Sequence, residues 1–131
     1  MRLNLSDFDS VRNFSKEFHD RYTKLNILIN NAGIIGAPGL LDSEGHDLIL
    51  KTNHLGHFLL TVLLMDLIVE TPESRVINVS STLHKAIKSP VNFDDAYNGK
   101  YSNIVGTYGL SKYGNVLFSI GLQKRFDNAG V

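Results

Sequence analysis

Tyr108 and Lys112 stand four residues apart in Gly106-Thr-Tyr-Gly-Leu-Ser-Lys-Tyr-Gly-Asn-Val-Leu117, a stretch whose spacing predicts a helix. Residues at i and i+4 share one helix face, so the lysine ammonium can stand beside the tyrosine phenol. A nearby cation favours phenolate and lowers the tyrosine pKa, as a proton donor and acceptor working near neutral pH requires. Three further polar groups precede this pair: Asn30-Asn31-Ala32-Gly33 after an apolar run, Asn53 within a helical stretch, and Ser80-Ser81 after a second apolar run. Each also has a plain reading. Tyr-x-x-x-Lys occurs by chance on amphipathic helices, small polar residues at strand ends form turns, and a surface helix tolerates an asparagine. Their order along one chain carries the weight.

The elements that position them follow from hydrophobic spacing. Residues 6–22 read as a helix, with Ser6 and Asp9 as a capping-box variant and Phe8, Val11, Phe14 and Phe18 as its apolar stripe. Residues 25–30 form a short apolar run that suits a strand covered on both faces. Residues 31–42 are a loop, and a long helix is expected over 43–69, stopped by Thr71-Pro72. A second buried strand covers 75–80, an irregular segment 82–103, and a last helix 104–128, with Ala129-Gly130 as its stop. Residues 2–5 read as the stub of a preceding strand. Alternating strands and helices predict an α/β fold, a parallel sheet joined by right-handed crossovers with flanking helices.

Composition narrows the classes. The 131 residues allow one domain with a modest core, and 43% hydrophobic with 20% charged residues is ordinary for a globular chain. Thirteen basic and thirteen acidic residues cancel, which argues against a nucleic-acid partner. With no cysteine, thiolate nucleophiles, disulfides and cysteine metal sites are excluded, while every compartment stays open. The most apolar window, 55–69, is interrupted by Gly56, His57, Thr61 and Asp66 and is shorter than the ~20 residues of a membrane-spanning helix.

In their order, these motifs resemble the short-chain dehydrogenase/reductases, most closely the retinol-dehydrogenase-like branch. The resemblance implies a partial doubly wound, Rossmann-like parallel sheet and hydride transfer between NAD or NADP and an alcohol or carbonyl, a lipophilic retinoid- or steroid-like one if the branch is followed. It implies Tyr108 as acid/base, Ser81 as the residue orienting the substrate oxygen, and Lys112 as the group that lowers the tyrosine pKa and holds the ribose. Ser80 is the alternative to Ser81. Asn53, in Asn-x-x-Gly-x-Phe, would sit where the helix bends and its main chain anchors a water in a proton relay. Asn30, Ala32 and Gly33 would support the sheet and bring backbone to the cofactor ribose. Asn4 stands where relatives usually have an aspartate that contacts adenine. The family's helices at 43–69 and 104–128 commonly form a dimer interface, so a homodimer is expected. The branch implies a cytoplasmic or an endoplasmic-reticulum-like membrane-associated location.

Other readings are set aside or kept. Gly33-x-x-Gly36-x-x-Gly39 is not the dinucleotide fingerprint, since Pro38 interrupts it and no helix opens on it. His54 and His57, at i and i+3, lack a third ligand at suitable spacing for a metal site. The extended branch of sugar-nucleotide epimerases shares Tyr-x-x-x-Lys but usually has a His-containing phrase in place of Asn-Asn-Ala-Gly. The family's Gly-rich pyrophosphate loop is expected before Met1 and its Pro-Gly segment after Val131, making residues 1–131 the central part of one dinucleotide-binding domain. On that expectation the chain alone neither binds NAD(P)(H) appreciably nor turns over an alcohol, and acts at most as a binding or dimerisation module.

Overall fold

The computed structural model describes residues 1–37, 39–88, 90–101 and 103–129. Its first helix, α1 (Phe8–Arg21), is capped by Asp7, whose carboxylate accepts from the Asp9 and Ser10 amides. Ser6 instead turns its hydroxyl to Asn4 Oδ1 at 2.9 Å. The cap therefore lies one residue later than expected, on the residue whose charge suits the positive end of the helix dipole. Val11 is fully buried, and Phe14 and Phe18 pack on the same core.

Strands β1 (Ile27–Asn30) and β2 (Arg75–Asn78) pair in parallel, with Leu28 opposite Val76 and Asn30 opposite Asn78. Successive side chains alternate between faces. Leu28 and Val76 pack against Val11, Leu60, Leu64 and Ile68. The other face is open, with Ile27 55% and Ile29 59% exposed and Ile77 beside them. The expected double coverage is thus corrected: the helices lie on one side. Residues 2–5 form no strand. Leu5 joins the core instead, and its carbonyl lies where a Gly56 side chain would be, 2.2 Å from a built Cβ.

The helix expected over 43–69 begins later and is broken. Asp42 Oδ1 accepts from the Glu44 and His46 amides, which folds residues 42–46 into a turn, and Lys51 forms an ion pair with Asp42. Asp47 then caps α2 (Leu48–Leu50) by accepting from the Leu50 amide at 2.7 Å. A π turn (Lys51–Leu55) widens the helix before α3 (Gly56–Leu63), and a kink at Leu64 separates α4 (Met65–Glu70). The irregular segment holds a 3₁₀ turn (Thr82–Ala86) and α5 (Phe93–Tyr97), capped by Asn92. A second π turn (Val105–Gly109) leads into α6 (Leu110–Ala129). The expected stop at Gly130 and the interruption at Pro38 lie outside the described residues. No helix among the described residues is long and apolar enough to cross a membrane.

Candidate active site

The second π turn carries Tyr108, and the first turn of α6 carries Lys112, its Nζ 5.6 Å from the tyrosine ring centroid. The lysine is only 4% exposed. Burial pulls its pKa below the usual lysine range. Its ammonium donates to the Val79 carbonyl at 3.2 Å, and no carboxylate pairs with it among the described residues. An ammonium with one backbone partner keeps two N–H donors for a hydroxyl or a phenolate. The Tyr108 hydroxyl has no hydrogen-bond partner among the described residues, while its backbone carbonyl accepts from Ser111 Oγ at 2.7 Å.

Asn53 sits in the first π turn with no exposed surface. Its Oδ1 accepts from the Ile34 amide at 2.7 Å and its Nδ2 donates to the Ile34 carbonyl at 2.9 Å, so one side chain pins the loop after β1 as a strand would. Nδ2 also reaches Ser111 Oγ at 3.2 Å, linking the two π turns. A Cβ built on Gly33 would stand 3.2 Å from Asn53 Oδ1 and 3.6 Å from Lys112 Nζ. The glycine thus lets the loop backbone pass directly over the asparagine and the ammonium. The Asn53 carbonyl accepts from Asn115 Nδ2 at 3.0 Å and from His57 Nδ1 at 3.1 Å. These two donors meet at the carbonyl to which the resemblance assigns the relay water.

The two serines differ in what their protons do. Ser80 Oγ donates to the Lys112 carbonyl at 2.8 Å, whereas Ser81 Oγ accepts from the Leu83 amide at 3.3 Å as the cap of the 3₁₀ turn. Accepting leaves the Ser81 proton free for an incoming oxygen. His84 Nδ1–H donates to the Ser81 carbonyl at 2.5 Å and holds it in place. The 3₁₀ turn packs on the tyrosine's π turn, where a Cβ at Gly109 would meet the Leu83 carbonyl at 3.2 Å.

The remaining sequence candidates separate. Ala32 and Gly33 lie on the exposed loop. The Asn30 side chain points into the interior, donating to Thr61 Oγ1 at 2.9 Å and Asn78 Oδ1 at 2.8 Å. Asn4 bonds to Ser6 and Ser10 in the turn before α1, and none of its contacts among the described residues joins it to Lys112. His54 and His57 both use Nδ1 in hydrogen bonds and have burial-lowered pKa values; they form no metal cluster among the described residues. Sequence reasoning passed over Ser111 and Asn115. A polar residue that is a poor helix former, placed mid-helix, was the available signal.

The open backbone at Gly33 and the free donors of Lys112 fit one half of a nicotinamide dinucleotide, its ribose and nicotinamide. Nothing among the described residues resembles a pyrophosphate loop: after Gly33, Gly36 and Gly39 the next helix opens only at Leu48. The family model for short chain dehydrogenase matches residues 1–131. Retinol dehydrogenase 12 of Bos taurus is 42% identical over 130 residues, 99% of this chain and 40% of that protein. Retinol dehydrogenase 11 of Homo sapiens is 38% identical over the same shares. A crystal structure of an uncharacterized protein from Mycobacterium paratuberculosis superposes with a TM-score of 0.77 at 38% identity, covering 99% of this chain and 45% of that one. A metagenomic short-chain oxidoreductase solved in complex with NADP shares the fold, with a TM-score of 0.70 at 21% identity over 98% of this chain and 52% of its own. The chain spans about 40% of the length of these curated relatives. It belongs to the short-chain dehydrogenase family and is similar to that family's retinol dehydrogenases.

Proposed function

We propose that residues 1–131 are the central part of a dinucleotide-binding domain that moves a hydride between NAD or NADP and an alcohol or carbonyl compound. The observation that carries this reading is the buried Lys112 ammonium, free of any carboxylate among the described residues, beside the Tyr108 ring and the open Gly33 backbone. The relatives' names support a lipophilic, retinoid-like substrate. A bound nicotinamide dinucleotide supplies or takes up the hydride. Tyr108 Oη gives its proton to the substrate oxygen in reduction and takes it in oxidation. The Lys112 ammonium stands beside the tyrosine ring, and its free N–H donors suit the ribose hydroxyls. Ser81 donates its free proton to the substrate oxygen, stabilising charge as it develops there. Asn53 and Gly33 keep the loop backbone in register with the ammonium, and the backbone of Ala32 continues that wall.

In a protein restored to the length of its relatives, Tyr108→Phe removes the transferable proton and leaves the rest of the site in place. We expect turnover to fall by roughly 10²–10⁴-fold, the usual contribution of general acid–base catalysis, with coenzyme affinity largely kept. Single-turnover hydride transfer at the wild-type rate would overturn the assignment.

A second reading rests on a different face. Phe58 and Val62 on α3 and Leu117 and Ile120 on α6 are exposed apolar side chains on adjacent helices. They support a homodimer, in which the chain acts as an association module whether or not it turns over substrate. Sedimentation of wild type against Val62→Asp should show a dimer lost to the charge. A wild-type chain that stays monomeric at every concentration would remove this reading.

A further inference from the structure

Asn115 lies one turn beyond Lys112 on the same face of α6 and is 3% exposed. Its Nδ2 donates to the Asn53 carbonyl at 3.0 Å and to the Val79 carbonyl at 3.1 Å. Backbone carbonyls only accept, so the amide orientation is fixed by its partners: the NH₂ faces the carbonyls and Oδ1 faces His54 Nδ1 at 3.0 Å. Oδ1 only accepts as well. His54 must therefore carry its proton on Nδ1, with Nε2 bare, and burial keeps the ring neutral. The Val79 carbonyl also accepts from Lys112 Nζ, so amide and ammonium converge on one oxygen. Gly114 permits this close approach, since a Cβ there would come within 2.8 Å of the His54 ring.

We propose that Asn115 is a positioning residue that, oriented by His54, ties the first π turn to the end of β2 and so fixes the oxygen on which the Lys112 ammonium rests. It touches neither Tyr108 nor the expected hydride path. It acts through Lys112, and to that extent the inference rests on the proposed function.

Two arms test it. The first uses the purified chain and needs no turnover. Imidazole ¹⁵N shifts should report His54 as the neutral Nδ1–H tautomer at neutral pH; an Nε2–H tautomer or a charged ring would overturn the amide orientation. Asn115→Asp keeps an acceptor for His54 but brings an anion to the oxygen shared with Lys112. The Lys112 side-chain titration should rise by about one pH unit, as a close opposite charge produces. An unmoved Lys112 would overturn the proposal. The second arm is kinetic, in the restored protein. Asn115→Leu should lower kcat about tenfold with little change in coenzyme KM, and add nothing further in a Lys112→Met background. Additive losses would mean a packing role alone and would overturn the proposal. Full turnover by Lys112→Met would instead sink the proposed function, leaving the tautomer and titration results to stand by themselves.

Discussion

Two π turns frame the site, and they hold their key residues in opposite ways. In the first (Lys51–Leu55), Asn53 is fully buried, its side chain makes three hydrogen bonds and its carbonyl accepts two more. In the second (Val105–Gly109), Tyr108 is half-buried and its phenol has no partner among the described residues; only its backbone is tied, through Ser111. Widened helical turns concentrate at functional sites. Here the same local geometry serves two purposes. Asn53 is held by its side chain, whereas Tyr108 is held by its backbone, which leaves the phenol free for the role proposed for it.

The contrast is broken most strongly at Asn53. Asn53→Ala removes three bonds from a fully buried side chain, so unfolding in urea should show a loss on the order of 3 kcal/mol. A loss below ~1 kcal/mol would mean that the first turn is not held by this side chain.

Two histidines, His54 in that turn and His57 just after it, sharpen it further through pH. Burial lowers the pKa of His54 and of His57, opposed in part by Asn115 for the one and by the Asn53 carbonyl for the other. A histidine that is less basic folded than unfolded binds more protons in the unfolded chain, so stability rises with pH. Their contribution is therefore complete above the unfolded value of 6.5 and falls as pH drops below it. His19 works with the opposite sign, because its bonds to the Ser15 carbonyl and to Asp66 raise its pKa, but it lies near the surface and is screened. Urea unfolding between pH 7 and 5 should show stability falling with acid, and His54→Gln should flatten that slope. A slope unchanged by the substitution would show that the buried ring does not report on the turn.

The smallest effect belongs to the second turn. Tyr108→Phe should change stability by less than ~0.5 kcal/mol, since it deletes an unpartnered hydroxyl. A large stability loss would mean that the phenol is a packing group after all.

Much of this was legible in the residues. The short apolar runs at Ile27–Asn30 and Arg75–Asn78, bounded by turn residues and rich in branched side chains, mark two strands by their length and composition. Tyr108 and Lys112 stood out by their spacing, and Asn53 and Ser81 were singled out through the family resemblance. The π turns did not, since hydrophobic spacing marks a helix without telling an α turn from a short wider one. The cap at Asp7 was misplaced because Ser6 and Asp7 are both capping types and only the path of the chain decides between them. The open sheet face was hidden for a different reason: a run of isoleucines reads the same whether its second face is covered or bare. Asn115 escaped because its three partners come from parts of the chain 36 to 62 residues away.

That open face has a thermodynamic consequence. Ile27, Ile29 and Ile77 together present branched apolar surface to water beside the unpaired edge of β1. Anything that binds there favours the folded chain by mass action, so each tenfold rise in its free concentration above the dissociation constant adds about 1.4 kcal/mol to the fold. In the presence of such a ligand, the melting temperature of this chain rises with the ligand's concentration. A single value measured at one ligand concentration then describes the mixture rather than the molecule.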